Sequence, residues 1–294
     1  VTPDATPVTI DKSVEYSADH IIIATGSVSS SLPIPGADLP GILTSREILD
    51  IEKVPSSLCV IGGGVIGLEF ASIFRSFGCE VTVLEYCKDI LPRFDSDLAK
   101  RLKQSLSKRG ISVETQAQVT SITECDADAY TVSYTRKGKE ETVTAEKVLM
   151  AVGRRANLAS LNLDDIGLEY TPRGIVTDER TMQTNIPHIY AVGDAVETED
   201  FITKKPSFIP LAGPANKQGR IAADNIAGYP TEYTGTQGSA VLKVFDMTVA
   251  TTGLNEKNAR LAGIDYDKTY ISAMSHAGYY PGASGMTVKV LWNR

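Results

Sequence analysis

The sequence predicts an α/β fold with a parallel sheet, and two observations carry the prediction. Residues 58–85 are typical of a buried strand, a glycine turn, a helix and a second strand that ends in an acid. Three other apolar strands run into a small residue and glycine, in Ile21–Ser27, Val148–Arg154 and Ile189–Ala195. Such strands are expected to be buried on both faces and to end at the carboxyl edge of a parallel sheet.

The glycine turn favours dinucleotide binding. An apolar run leads into Gly62, Gly64 and Gly67. Gly62 lets the chain turn sharply, Gly64 lets the backbone approach a pyrophosphate, and Gly67 lets the new helix lie close to the strand. The free amide groups at the start of that helix would face the anion. This part of the chain is therefore expected to be Rossmann-like.

The helix after the turn is expected to end at Gly78, and the second strand to cover Val81–Leu84. Apolar residues recur at helical spacing, which predicts that one face packs on the sheet. That face consists of Ile66, Phe70, Ile73, Phe74 and Phe77.

Glu85 closes the second strand, eighteen residues after the last glycine of the turn. An acid there can accept hydrogen bonds from both hydroxyls of an adenine ribose, and it repels a 2′-phosphate. NAD(H) is therefore favoured over NADP(H). Tyr86 and Cys87 follow where an arginine would favour NADP(H), although Lys88 and Arg93 lie close enough in sequence to leave that preference open.

Further along, a second helix is predicted to begin at Asp95 or Ser96, either of which can cap it, and to stop at Gly110. A hairpin or short sheet is predicted from Tyr130 to Val143, with its turn at residues 137–138.

Composition excludes several classes of function. A chain of 294 residues is long enough for about two domains, and its formal charge of -7 disfavours nucleic acid and anionic lipid as partners. No apolar run is long enough to span a bilayer, and residues 1–8 lack the pattern of a signal peptide. We therefore expect a soluble, cytoplasmic protein with no membrane or nucleic-acid partner.

The cysteines and histidines do not indicate a metal site. The four cysteines form no CxxC pair and are expected to be reduced thiols, Cys59 in the core and Cys87 exposed. The histidines, His20, His188 and His276, are far apart in sequence and are expected to be structural or surface residues.

Six motifs, in order, give the sequence a specific resemblance: ATG, GGGVIGLEFA, VLE, AVGRRAN, TNIPHIYAVGDA and LAGPANKQGRIAADNI. Together they resemble the FAD-dependent pyridine nucleotide-disulfide oxidoreductases over nearly the whole chain. The segment SHAGYYPGA at 275–283 is similar to the coenzyme A-disulfide reductase and NADH oxidase branch. The resemblance implies FAD and NAD(H) as cofactors.

The resemblance also implies a domain plan. Residues 1–35 would end the first half of an FAD domain, 36–158 would form an inserted NAD(H)-binding domain, 159–235 would return to the FAD domain, and 236–294 would begin an α+β interface domain that makes a homodimer. The family's own N-terminal FAD fingerprint and its redox-active cysteine do not occur in this sequence. The chain is therefore expected to be a fragment, and none of its cysteines is assigned the redox role.

Site residues follow from the same motifs. The Glu69 carboxylate would lie near the nicotinamide, although a first-turn acid is also favoured by the helix dipole alone. Ile66 would shield the nicotinamide pocket or simply pack in the core. The NAD-binding set is Gly62, Gly63, Gly64, Val65, Ile66, Gly67, Glu69, Glu85, Tyr86, Val119, Val152 and Gly153.

For FAD, the resemblance implies that Asp194 holds a hydroxyl of the ribitol chain, or alternatively that it caps a turn. Leu211 and Ala212 would lie near the flavin ring, with a helix over 216–226 behind them. Arg155 matches a G-x-R-P-N motif in which Ala156 replaces proline. The FAD-binding set is Ala24, Thr25, Gly26, Arg155, Gly193, Asp194, Leu211 and Ala212.

The implied activity is hydride transfer from NADH to FAD and on to a small-molecule disulfide, such as coenzyme A disulfide, or to oxygen. Tyr279 or Tyr280 would act as a catalytic hydrogen-bond donor in the partner subunit, unless the pair only packs in its glycine- and proline-rich loop. Two alternatives stay open: a ferredoxin- or rubredoxin-type NADH reductase, and a non-catalytic NAD-binding fragment.

Overall fold

The computed structural model describes residues 16–125 and 128–293, which form two compact units. The smaller unit consists of the described residues up to Gly26 with 156–198 and 208–234, and the larger unit of 27–155, 199–207 and 235 onward. The helices are α1 (Val65–Ser76), α2 (Ser96–Lys108), α3 (Ala212–Ile226) and α4 (Glu256–Ala262), with 3-10 turns at Glu47–Leu49, Leu163–Ile166 and Gly193–Ala195.

The strands, in chain order, are β1 (Ile21–Ile23), β2 (Ser27–Ser29), β3 (Ile42–Leu43), β4 (Ser57–Ile61), β5 (Glu80–Glu85), β6 (Ile111–Thr115), β7 (Ala117–Cys125), β8 (Ala129–Arg136), β9 (Lys139–Ala145), β10 (Lys147–Met150), β11 (Arg154–Ala156), β12 (Tyr170–Thr171), β13 (Gly174–Ile175), β14 (Ile189–Ala191), β15 (Thr198–Glu199), β16 (Pro206–Ser207), β17 (Ala240–Val244), β18 (Met247–Thr251), β19 (Asp267–Met274) and β20 (Gly285–Trp292).

A five-stranded parallel sheet in the order β3-β10-β4-β5-β6 is the centre of the larger unit. The central strand β4 pairs in parallel with β10 and with β5, so that Cys59 lies between Val148 and Thr82. Its side chains alternate between two cores. Val60 lies in the core that α1 and α2 cover, and Cys59 in the core on the other face. The α/β fold class expected from the sequence is thereby confirmed.

The face of α1 that packs on the sheet differs from the predicted one. Leu68, Ala71 and Phe74 are buried, whereas Ile73 and Phe77 are 44% and 64% exposed. The reason is that α1 carries apolar side chains almost all round, so their spacing alone does not select a face. The stop at residue 78 is confirmed, because that glycine has a φ of 93° directly after the helix.

An antiparallel sheet, β7-β8-β9, covers the other face of the parallel sheet and connects β6 to β10. The predicted hairpin is confirmed: β8 and β9 pair over their length and turn at Lys137 and Gly138, both with positive φ. The predicted second helix is also confirmed as α2. Asp95 is its N-cap, and its side chain accepts the Asp97 N–H at 3.3 Å.

Residues from 235 onward belong to the larger unit. Leu242 and Val244 of β17 and Val249 of β18 are buried in the same core as α1 and α2. The long hairpin β19-β20 follows α4, and its strands pair from Asp267 with Trp292 to Met274 with Gly285. The C-terminal segment thus supplies part of the core of the unit that holds the glycine turn.

The smaller unit is organised around β1 and β14, which pair in parallel with Ile22 opposite Tyr190. α3 packs beside them, with Ala222 in a core that includes Tyr190 and Val192. The expectation of strands buried on both faces holds for β10 and β14 but is wrong for β1, where Ile21 and Ile22 are 44% and 43% exposed. Among the described residues β1 pairs only with β14, so it is an edge strand.

None of the helices in the described ranges is long and apolar enough to cross a membrane. The four cysteines carry free thiols, as expected. Cys59 is buried, and burial raises its thiol pKa to about 12. Cys87 is half-buried rather than exposed.

Candidate functional site

The turn between β4 and α1 is shaped by close backbone approach. Gly62 has a φ of 110°, and a Cβ at this position would lie 2.3 Å from the carbonyl oxygen of Ala151. A Cβ on Gly67 would lie 2.1 Å from the carbonyl oxygen of Gly62. Only glycine fits at both places. The close contact at Gly67 is the helix-to-strand packing that the motif predicts.

The open side of this turn is at the start of α1. Gly64 is the N-cap residue, and a Cβ built on it would meet no protein atom within 4 Å. Val65 and Ile66 are the first helical residues and are half-buried. The first amide groups of a helix have no acceptor within the helix, and the helix dipole favours an anion beside them. This end of α1 has the chemistry of a pyrophosphate site.

Glu85 joins the glycine turn to the end of β5. Its side chain is 6% exposed, and its two oxygens accept the Gly63 N–H at 2.6 Å and the Cys87 N–H at 2.7 Å. Each carboxylate oxygen keeps a second lone pair that can accept a hydroxyl. The Gly63 carbonyl in turn accepts the Leu91 N–H at 2.8 Å. The acid expected to bind the ribose is therefore held rigidly beside the turn.

The surroundings of Cys87 favour its neutral thiol over the thiolate. Burial raises the pKa of its thiol, and a hydrogen bond to the Glu85 carboxylate raises it further. Tyr86, between the two, is 71% exposed. The last residue of β5 and the residue after it thus offer one acid and one exposed ring.

Glu69 lies in the second turn of α1, not in the first turn as the sequence analysis expected, because α1 begins at Val65. Helix-dipole stabilisation therefore does not account for this acid, since the effect falls off after the first turn. Its side chain is half-buried, and burial raises the pKa of its carboxyl group.

The remaining candidates for NAD lie near the end of β10. Val152 and Gly153 follow that strand, Gly153 with a φ of 123° and its carbonyl bound to the Ser30 N–H at 2.9 Å. Val119 of β7 is buried in the apolar cluster against which Val152 packs. Ala151, next to Val152, contacts the turn at Gly62. The structure thus places Val152 and Gly153 after the carboxyl end of β10, beside the turn that follows β4.

In the smaller unit, the candidates for FAD follow two neighbouring strands. Residues 24–26 follow β1, and Gly193 and Asp194 follow β14. Because β1 and β14 are parallel, their carboxyl ends lie at the same edge. Leu211 is the N-cap of α3 and Ala212 its first residue, four residues earlier than the start expected from the sequence. Arg155 is an exposed residue of β11 at the end of a segment of the larger unit.

Gln218, to which no role was predicted from the sequence, lies beside Gly193 in the structure. Gln218 is 1% exposed, its amide oxygen accepts the Gly193 N–H at 2.8 Å, and its amide nitrogen donates to the Thr198 hydroxyl at 3.3 Å. A sequence signal existed, because Gln218 falls four residues before the buried Ala222 and hence on the apolar face of α3. An amide on such a face needs buried partners.

Tyr279 and Tyr280 lie in the loop between β19 and β20 and are 83% and 59% exposed. Their ring centroids are 4.8 Å apart, and the ring of His276 lies 6.4 Å from that of Tyr280. The hydroxyl of Ser275 lies 3.1 Å from the Nδ1 atom of His276.

One group of carboxylates in the described part of the chain is compact enough to bind a cation: Asp95, Asp97 and Glu256. The ammonium of Lys289 already lies among them, 2.8 Å from Asp95 and 3.0 Å from Asp97, and it also bonds Glu256. The Lys289 side chain is 6% exposed. We describe this group as an ion-pair cluster that ties β20 and α4 to the start of α2.

Comparison with known proteins agrees with this geometry. A family profile described as pyridine nucleotide-disulphide oxidoreductase matches residues 1–219. Dihydrolipoyl dehydrogenase of Bacillus subtilis is 37% identical over 251 residues, which are 85% of this chain and 51% of that protein. The chain spans about half the length of the curated relatives it matches.

Among the solved structures that share the fold, two examples are at least 30% identical to this chain. The NAD-dependent persulfide reductase from A. fulgidus is 32% identical, with a TM-score of 0.84 and coverage of 94% of this chain and 52% of that one. The reduced CoADR-RHD of Bacillus anthracis is 35% identical, with a TM-score of 0.84 and coverage of 94% and 50%.

Proposed function

Since this chain belongs to the pyridine nucleotide-disulphide oxidoreductases, we propose that it is part of an FAD-dependent enzyme that takes hydride from NADH and reduces a small disulfide. The observation that carries the proposal is the glycine turn before α1 together with Glu85, which is bonded to Gly63. Domain boundaries at 35, 158 and 235, as the family resemblance implies, are part of the proposal.

NADH binding is assigned to the larger unit. The pyrophosphate would lie against the amide groups at the start of α1, and the two ribose hydroxyls would donate to the free lone pairs of Glu85. A 2′-phosphate would bring negative charge to a carboxylate that is 6% exposed. Because like charges at short distance repel strongly in a poorly solvated site, NADH is favoured over NADPH.

FAD binding is assigned to the residues after β1 and β14 and at the start of α3. When bound, FAD supplies the hydride acceptor that links NADH to a disulfide. Asp194 is suited to accept a hydrogen bond from a ribitol hydroxyl, because a carboxylate is a strong acceptor. The first amide groups of α3, after Leu211, provide donors for a polar ring edge.

The acceptor is proposed to be a low-molecular-weight disulfide. The relatives and neighbours are named as a dihydrolipoyl dehydrogenase, a persulfide reductase and a CoADR protein, and all three names indicate sulfur chemistry. One hydride from NADH and one proton convert a disulfide into two thiols, which balances the reaction. Coenzyme A disulfide is the specific substrate that we propose, with oxygen as the alternative acceptor. Tyr279 or Tyr280 would donate a hydrogen bond to the reacting group.

A homodimer and a cytoplasmic location complete the proposal. The hairpin β19-β20 carries exposed apolar side chains on both strands, among them Ile271 and Trp292 at 51% and 44% exposure. Exposed apolar surface of this kind is typical of a subunit interface. Free thiols in all four cysteines are compatible with a reducing compartment.

The first experiment is the visible spectrum of the purified chain with added FAD, followed by NADH without air. The proposal expects a flavin spectrum that bleaches. NADH titrations should accompany it, because Glu85→Ala should lose about tenfold or more in affinity and discriminate less against NADPH. Glu80→Ala, at the exposed start of the same strand, is the control and should bind like wild type.

Two outcomes separate the alternatives. A chain that binds NADH but takes up no FAD would support the NAD-binding module instead of the oxidoreductase. Equal NADH affinity in Glu85→Ala and Glu80→Ala would contradict the assignment of the ribose site.

A further inference from the structure

Gln218 connects two ends of a short segment in the smaller unit. Its amide oxygen accepts the Gly193 N–H at 2.8 Å, and its amide nitrogen donates to the Thr198 hydroxyl at 3.3 Å. Gln218 is 1% exposed and Thr198 is 6% exposed. The segment held in this way, 193–198, contains Asp194.

We propose that Gln218 is a positioning residue that fixes the turn after β14 and thereby the carboxylate of Asp194. The inference rests on the proposed function, in which Asp194 binds FAD. Gln218 itself would not touch the cofactor, because its amide is bound to Gly193 and Thr198.

The backbone at Gly193 explains why the turn needs a side-chain acceptor. The ladder between β1 and β14 continues through the Val192 N–H, which donates to the Ile23 carbonyl at 3.0 Å. At Gly193 the chain leaves this ladder with a φ of 72°, and its N–H points to Gln218 instead. Gly193 is half-buried, and the nearly fully buried amide of Gln218 accepts its N–H, so Gln218 stabilises the left-handed turn.

Close packing adds to the constraint. A Cβ built on Gly193 would lie 3.5 Å from the Cβ of Ala215, so α3 runs directly against the turn. The Gly193 carbonyl accepts the Val196 N–H at 3.3 Å. Both backbone polar groups of Gly193 are therefore used within the protein. Asp194 follows on a backbone that has little freedom to move.

An apolar residue at position 218 removes both hydrogen bonds. Gln218→Met has nearly the same length, so it isolates the loss of the amide. Gln218→Glu keeps an acceptor for the Gly193 N–H, and when protonated in this buried place it can also donate to Thr198. If Gln218 acts through Gly193, the glutamate variant should rescue what the methionine variant loses.

Asn225→Leu is the matched control. Asn225 lies on the same helix and its amide donates to the carbonyls of Ile221 and Thr231, both at 2.9 Å. The control variant therefore also loses two side-chain hydrogen bonds in the same unit, both donated by the amide nitrogen and both away from Gly193.

The primary measurement is hydrogen exchange of the Gly193 amide in the chain without FAD. Gln218→Met should speed this exchange by about tenfold or more, the effect of losing one buried hydrogen bond. Gln218→Glu and Asn225→Leu should stay close to wild type. The dissociation constant of FAD should follow the same order among the variants, rising by about tenfold in Gln218→Met.

Unchanged exchange at Gly193 in Gln218→Met would overturn the inference. An equal increase in Asn225→Leu would overturn it as well, because the effect would then report general loosening of the unit. If the wild-type chain takes up no FAD, the FAD-binding part of the proposed function fails. The hydrogen-exchange rate of the Gly193 amide then still tests, by itself, whether Gln218 fixes the turn.

Discussion

Lys289→Met is expected to destabilise the larger unit by about 3 to 5 kcal/mol at neutral pH, the typical cost of removing one partner from a buried ion pair. Lys289 is the cation of the ion-pair cluster, and its side chain is 6% exposed. Methionine has a similar length but no charge. Its introduction would leave Asp95 and Glu256, both largely buried, facing Asp97 without the ammonium between them.

The pKa values indicate how strongly the cluster is coupled. Burial alone would lower the pKa of Lys289, but hydrogen bonds to Asp95, Glu256 and Asp97 outweigh it and raise that pKa. The hydrogen bond from Lys289 is the largest cause that lowers the pKa of Glu256 from 4.5 to about 2. That difference is equivalent to about 3 kcal/mol at most, and solvent screening and Lys268 reduce the share due to Lys289 to about 1 to 2 kcal/mol. This is the part that Glu256 contributes to the expected loss, and the rest comes from Asp95 and Asp97, which also lose their bonds to Lys289.

The pH dependence has a definite sign. Because the pKa of Glu256 is lower in the folded chain, its contribution to stability is fully present above pH 4.5 and is lost as the pH falls toward 2. The wild-type chain should therefore lose stability over that range. In Lys289→Met, protonation of the three carboxylates relieves the repulsion between them. The difference in free energy of unfolding between wild type and Lys289→Met should therefore be smaller at pH 3 than at pH 7.

Denaturant unfolding at pH 7 and pH 3 measures both effects. Lys268→Met is the control, because Lys268 bonds the same Glu256 at 3.0 Å but is 44% exposed. An exposed pair of this kind contributes less than about 1 kcal/mol. Two results would contradict this prediction. One is a free energy of unfolding of Lys289→Met within about 1 kcal/mol of that of Lys268→Met at pH 7. The other is a stability difference between wild type and Lys289→Met that is as large at pH 3 as at pH 7.

Three further predictions concern the proposed sites. Gly67→Ala should weaken NADH binding by more than about tenfold, because its Cβ would meet the Gly62 carbonyl at 2.1 Å; normal binding in a titration would contradict this. Asp194→Ala should raise the FAD dissociation constant by about tenfold or more, and fluorescence quenching measures it; an unchanged constant favours a turn-capping role. Tyr279→Phe or Tyr280→Phe should lower turnover with a disulfide in the full-length enzyme, and unchanged turnover in both rules out the catalytic reading.

Local patterns predicted the strand, glycine turn and helix well, because each element there depends on neighbours in sequence. The glycines at 62 and 67 mark close approach, and the continuous burial of β4 follows from its place in a parallel sheet that is covered on both faces. The face of α1 was wrong, since Ile73 and Leu68 are equally apolar and only the packing on the sheet selects Leu68.

Contacts between distant residues were not predictable from the sequence. Gln218 bonds a backbone amide twenty-five residues away in sequence. Lys289 bonds Asp95 and Asp97, which lie more than 150 residues before it in sequence and belong to the same unit. The sequence does not indicate these partners, because a buried, paired lysine cannot be distinguished from a surface lysine by residue type alone. The hydrogen bonds that hold Glu85 in place likewise depend on how the turn folds back beside β5.

The ion-pair cluster also bears on the order in which the chain folds. Lys289 bonds Asp95 across 194 residues, and the whole smaller unit after β11 lies between them in sequence. The last strand of the parallel sheet ends at Met150, and β17 ends at Val244, 94 residues later. At the usual speed of synthesis this interval lasts roughly 5 to 20 seconds. Until β17 has been synthesised, Leu242 is missing from the core that it shares with α1 and α2, and apolar side chains of that core remain exposed. During this stage of synthesis a chaperone can bind the exposed apolar surface.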